Sequence, residues 1–107
     1  MATIKKIESF GEHIRTLREK AGLTLKSVAE HINIDTSLLA KIERNERHPT
    51  KQIINQVANY FNVNEIELNN KLLSDQIAYQ ILDQKADLSI LKVAEAKVKY
   101  LKTIGNG

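Results

Sequence analysis

The chain has 107 residues, of which 27% are charged and 42% hydrophobic, with a formal net charge of +3 and no cysteine. This composition excludes a disordered chain, a disulfide scaffold and any thiolate metal site. No apolar run approaches the roughly 18 residues of a membrane span, and residues 1–8 lack the apolar core of a signal peptide, so a cytoplasmic protein is expected.

The breakers are few, one proline and four glycines, while Leu, Ile, Ala, Lys and Glu abound. The chain therefore reads as all-α: one small domain with a helical extension. Residues 1–8 form an arm, where Lys5 and Lys6 either reach a phosphate or sit in solvent. A first helix spans residues 9–21. Ser9 and Glu12 have the spacing of a capping box, Phe10, Ile14, Leu17 and Ala21 form its inward stripe, and Gly22 ends it. A second helix covers residues 24–32, capped by Thr24, with Val28, Ala29 and Ile32 inward. Asn33 suits the left-handed turn that follows, and Ile34 plugs the corner.

A third helix, residues 35–45, is capped by Asp35 and turns Leu38, Leu39 and Ile42 inward. What remains outward is Thr36, Ser37, Ala40, Lys41 and Arg44. That face is small, polar and basic, as a surface presented to a DNA major groove would be. Arg44 suits a phosphate, because its guanidinium matches a pair of phosphate oxygens. A loop over residues 46–50 carries Arg47, and Lys51 follows it; both are candidate phosphate contacts. Thr50 caps a fourth helix whose Ile53, Ile54, Val57, Ala58 and Phe61 make a full apolar face. A fifth helix begins near Asn64, with Ile66 and Leu68 finishing the core.

Two amphipathic helices are expected beyond, over residues 72–84 and 87–104. The first carries Leu72, Leu73, Ile77, Ile81 and Leu82. The second carries Leu88, Leu91, Ala94, Val98 and Leu101, after a cap at Asp87 or Ser89. These stripes exceed what a five-helix domain needs to cover itself. Soluble monomers avoid such exposed patches, and a two-fold dimer of helical hairpins hides them. The alternative is that they fold back on their own domain. The expected organisation is an arm at 1–8, a DNA-binding domain at 9–70 and a dimerisation segment at 71–107. Its expected dimer interface is Leu73, Ile77, Ile81, Leu88, Leu91, Ala94, Val98 and Leu101.

Residues 10–68 resemble the lambda-repressor-like (Cro-type, XRE) helix-turn-helix family. The likeness rests on Leu17-Arg18, Gly22-Leu23-Thr24, Val28-Ala29, Leu39, Ile42-Glu43-Arg44, Arg47, Pro49-Thr50, Val57-Ala58 and Phe61-Asn62-Val63. It implies a five-helix domain in which Thr36, Ser37 and Lys41 approach base edges and Lys26, Arg44, Asn45, Arg47 and Lys51 approach phosphates. It also implies a largely buried pair, Arg18 with Glu43, that positions the third helix. The chain departs from the family at Leu25, where a phosphate-contacting Gln is frequent, and at Asn45, where Gly is usual.

The expected function is a homodimeric, sequence-specific regulator of transcription. It would bind a near-palindromic double-stranded operator as a repressor, in the manner of a restriction–modification controller. Two other readings are an antitoxin that binds a toxin and its own operator, and a helical assembly scaffold without DNA binding. Nothing in the chain reads as an enzyme. Ser, His and Asp form no nucleophile motif, no Gly-rich phosphate loop occurs, and His13, His31 and His48 lack metal-ligand spacing. No metal or cofactor is expected.

Overall fold

The computed structural model describes residues 6–105, which form six helices and, among them, no strand. They are α1 (Phe10–Lys20), α2 (Leu25–His31), α3 (Thr36–Glu43), α4 (Lys51–Phe61), α5 (Glu65–Gln84) and α6 (Ile90–Gly105). None is long and apolar enough to cross a membrane.

The helix starts follow side-chain chemistry. Ser9 Oγ accepts the Glu12 N–H at 3.2 Å, and the Glu12 carboxylate accepts the Ser9 N–H at 3.1 Å, a closed capping box. Thr24 and Thr50 accept the N–H groups of Ser27 and Ile53 at 3.0 and 3.2 Å. Asp35 departs from expectation. It stands at the N-cap of α3, but its carboxylate makes no capping bond.

One device ends five of the helices. Gly22, Asn33, Asn45, Asn62 and Lys85 all have positive φ, between 53° and 70°. In each case the next N–H returns to a carbonyl five residues back: Leu23 to Arg18, Ile34 to Ala29, Glu46 to Lys41, Val63 to Ala58 and Ala86 to Ile81, at 2.8–3.1 Å. This is the Schellman closure, and Leu23, Ile34 and Val63 then pack against the core, as its hydrophobic contact requires. Three of the five turns use Asn, the side chain that best tolerates this conformation after Gly.

The core gathers Phe10 and Ile14 of α1, Val28 and Ala29 of α2 with Ile32 beyond it, and Leu39 and Ile42 of α3. From the other side come Ile53, Ile54, Val57 and Ala58 of α4 and Leu68 of α5. Helix α3 packs against both α1 and α2.

The expected fifth helix and the expected helix over residues 72–84 are one continuous element, the 20-residue α5. No glycine or proline lies between Asn64 and Gln84 to divide it. Ile66, expected in the core, is 71% exposed, whereas Leu68 is buried. Leu72, expected in the extension, packs on the core of the first five helices. The chain accordingly parts into two compact units between Asp75 and Gln76, later than the expected boundary at residue 70.

In the second unit, Asp87 Oδ1 accepts the Ser89 N–H at 2.7 Å just ahead of α6. That bond holds the Asp87 carboxyl below the usual carboxylate range. No residue of α6 is buried; Leu91, Val98 and Leu101 are 46%, 50% and 57% exposed. Leu73, Ile77, Leu88 and Ala94 are exposed as well, and Ile81 is half-buried.

Lys5 lies outside the described residues. Lys6 pairs with Glu12 at 2.9 Å, both well exposed, so it holds the arm against α1 only weakly.

Candidate nucleic-acid interface

Three separate contacts hold helix α3. Its inward residues Leu39 and Ile42 are almost wholly buried. The second contact is ionic. Arg18 Nε donates to Glu43 Oε2 at 2.7 Å, Arg18 Nη2 donates to Glu43 Oε1 at 2.9 Å, and Nη1 donates to the Leu23 carbonyl at 3.0 Å. The side chains are only 12% and 5% exposed, so this two-pronged pair works in a low dielectric. The Glu43 hydrogen bond raises the Arg18 pKa above its ordinary value, outweighing the opposing effect of desolvation.

The third contact was not foreseen from the sequence. Asn45 Oδ1 accepts the Gly11 N–H at 2.9 Å, and Asn45 Nδ2 donates to Ser9 Oγ at 2.8 Å. Asn45 was expected on a phosphate. Its amide also has a structural role that the sequence did not show, bonding at both ends to the start of α1. The approach is possible because residue 11 is glycine. A Cβ there would lie 2.5 Å from the carbonyl oxygens of Ile42 and Glu43. A glycine in the first turn of a helix was the available signal, since it costs stability unless something comes close.

With α3 held on its inner side, Thr36, Ser37, Lys41 and Arg44 stand exposed, with Ala40 half-buried. Arg44 Nε pairs with Glu46 at the surface, both side chains more than half exposed. Such a pair is worth little, so the guanidinium can exchange it for a phosphate. Lys26 is exposed in the first turn of α2. Leu25 beside it is half-buried and packs on the core, which gives the apolar residue there a structural role. Arg47 is exposed in the loop between α3 and α4. Lys51, exposed at the start of α4, lines a groove of about 230 Å³ with Ile54, Glu65, Ile66 and Asn69.

The histidines are dispersed. His13 is half-buried, with its pKa lowered by burial and by Lys71 and Lys20 against the opposing Glu8. His31 stacks on Tyr60 with ring centroids 4.0 Å apart. His48 is exposed in the loop before Pro49, whose ring is buried.

A family model described as Helix-turn-helix matches residues 14–68, just over half of the chain. The HTH-type transcriptional regulator ImmR of Bacillus subtilis (strain 168) is 31% identical over a match covering 64% of this chain and 65% of its own. The chain thus spans a little under two thirds of that relative. Among solved structures, the restriction-modification controller protein C.AhdI from Aeromonas hydrophila is 29% identical. That match has a TM-score of 0.52 and covers 55% of this chain and 89% of the other. SinR, a master regulator for biofilm formation solved in complex with DNA, is 30% identical with the same TM-score. It covers 55% of this chain and 95% of its own. The matched span contains α2, the Asn33 turn, the exposed face of α3 and the Arg18–Glu43 pair, and the chain belongs to the lambda-repressor-like, XRE-type helix-turn-helix family.

Proposed function

We propose that this chain is a sequence-specific, double-stranded DNA-binding regulator of transcription that acts as a homodimeric repressor at a near-palindromic operator. The observation that carries this reading is the exposed Thr36–Ser37–Lys41–Arg44 face of a helix whose opposite side is fixed by the core, the buried ion pair and the Asn45 contacts. A rigid helix with small polar and basic side chains outward suits the major groove. The likeness to SinR, solved with DNA bound, supports the same reading. In it, Thr36, Ser37 and Lys41 face base edges while Lys26, Arg44, Arg47 and Lys51 face phosphates.

One such module reads few bases. Two copies related by a two-fold axis would read half-sites about 34–36 Å apart, which turns weak half-site preference into useful specificity. The stripe of Leu73, Ile77, Leu88, Leu91, Ala94, Val98 and Leu101, exposed, with the half-buried Ile81, is the surface available for that pairing. A soluble chain gains by covering it.

Selection of bound duplexes from a random pool tests the function. A recovered motif with internal two-fold symmetry is expected, with affinity falling steeply as salt rises. Failure to enrich any sequence, or binding indifferent to salt, would refute the proposal. On the selected duplex, Lys41→Ala is expected to relax base preference at one position. Arg44→Ala is expected to weaken all duplexes alike and lower the salt slope by about 1. Competition with single-base variants of the duplex distinguishes the two effects.

Charged substitutions at Leu91 and Val98, Leu91→Glu with Val98→Lys, are expected to give monomers by light scattering while leaving the thermal unfolding of the first five helices in place. Both positions are about half exposed, and neither belongs to the core of the first five helices. A dimer that survives them would place the interface elsewhere.

A further inference from the structure

A helix begins with four N–H groups that have no partner within it. In α1 all four are taken by side chains, and two of those side chains come from far along the sequence. Ser9 N–H donates to Glu12 Oε1 and Glu12 N–H donates to Ser9 Oγ. Gly11 N–H donates to Asn45 Oδ1, immediately after the recognition helix. Phe10 N–H donates to Asp75 Oδ2 at 2.7 Å, from the eleventh residue of α5. Phe10 is 2% exposed and Asp75 half-buried. The bond is charge-assisted, with a carboxylate set at the positive end of the α1 dipole.

The consequence is that one turn of one helix holds both the end of α3 and the middle of α5. Helix α5 runs on without a break to Gln84 and carries Leu73, Ile77 and Ile81 of the exposed stripe. We infer that Asp75 is a positioning residue that ties the helix bearing the dimer stripe to the turn anchoring the recognition helix, and so sets the spacing of half-sites that the dimer accepts. This rests on the homodimer reading above. Without the Asp75 bond, α5 keeps its apolar contacts through Leu68 and Leu72 but loses its one polar tie to α1 among the described residues. A dimer joined through a loosely seated α5 would accept several spacings in place of one.

The test uses the full chain as wild type, Asp75→Ala and Asp75→Asn. The duplexes come from the selection experiment and carry either one half-site or two half-sites at a graded series of separations. Asp75→Ala is expected to remain dimeric by light scattering and to bind one half-site as the wild type does. It should lose the preference for a single separation, with binding to the best two-site duplex falling roughly tenfold, a usual size for coupling between sites. Asp75→Asn keeps an oxygen that can accept the Phe10 N–H, so it should restore most of that preference. Should Asp75→Ala fail to fold, Asp75→Ser, too short to reach Phe10, takes its place in the same assay. An undiminished spacing preference in Asp75→Ala overturns the inference. So does a loss of one-half-site binding in the same proportion as two-half-site binding, which would make Asp75 only a cap for α1. A wild type that is monomeric, or that shows no preferred separation, refutes the homodimer reading itself and is recognised before any variant is made.

Discussion

Glu43→Ala is expected to lower the free energy of unfolding by about 3–5 kcal/mol, because it leaves the Arg18 guanidinium in the interior without its partner. That is a large fraction of the roughly 5–15 kcal/mol by which a domain is stable. The geometry explains the size. Both charges are nearly closed off from water, and the carboxylate accepts two bonds from one planar group. Arg18→Met should cost a similar amount, since it strands Glu43 instead. The double variant Arg18→Met with Glu43→Leu should recover most of the loss, because what harms the single variants is the desolvated charge left behind. Urea denaturation of the four proteins measures this directly. Single losses below about 1 kcal/mol would show a pair that behaves as if solvated. The pair is better understood as fixing where α3 sits than as adding net stability. The double variant should therefore fold yet bind its operator less tightly than the wild type.

Gly11→Ala is expected to destabilise the protein by about 2–3 kcal/mol, although alanine ordinarily stabilises a helix relative to glycine by up to about 1 kcal/mol. The added methyl would meet two backbone carbonyls at 2.5 Å and Asn45 Oδ1 at 2.6 Å. Backbone atoms cannot rotate aside as a flexible side-chain end does, so α1 and α3 must separate. On the proposed function, operator binding should fall with stability, because the displaced helix carries Thr36, Ser37 and Lys41. Gly22→Ala serves as the comparison. It has nothing within 4 Å of the new methyl but a φ of +70°, so only the left-handed penalty of about 1–2 kcal/mol applies. Thermal unfolding of both variants separates close approach from backbone conformation. A Gly11→Ala protein as stable as the wild type would mean that α1 and α3 are not in firm contact.

Much of the first unit was legible in the sequence because its signals are local. A capping serine with glutamate three residues on, a threonine ahead of an apolar stripe and an asparagine after one each act within a single turn. The outward face of α3 was legible for the same reason, since helical period alone separates Thr36, Ser37, Lys41 and Arg44 from Leu39 and Ile42. Asp35 shows the limit of such signals. The residue type suits a cap and the position is right, yet no capping bond forms.

The division between α5 and its continuation misled for a physical reason. The helix from Asn64 was read as closing the family-like domain and residues 72–84 as a separate amphipathic helix, but without a breaker the backbone hydrogen bonds simply continue. Burial changes along the helix while its conformation does not. Ile66 faces solvent and Leu68, two residues on, is buried, a choice made by the packing of α5 and not by hydrophobicity.

By itself, the sequence determined an all-helical chain, the limits of its first three helices within a residue or two, the start of the fourth, the residues turned outward on the third and the excess of apolar surface near the C-terminus. Only the tertiary structure decided that Asn45 and Asp75 bond to the first turn of α1 and that Gly11 marks a close approach of two backbones. Periodicity and capping depend on neighbours three or four residues apart, which a sequence displays. Hydrogen bonds between residues 34 or 65 positions apart depend on how whole helices settle against one another, and no local pattern carries that information.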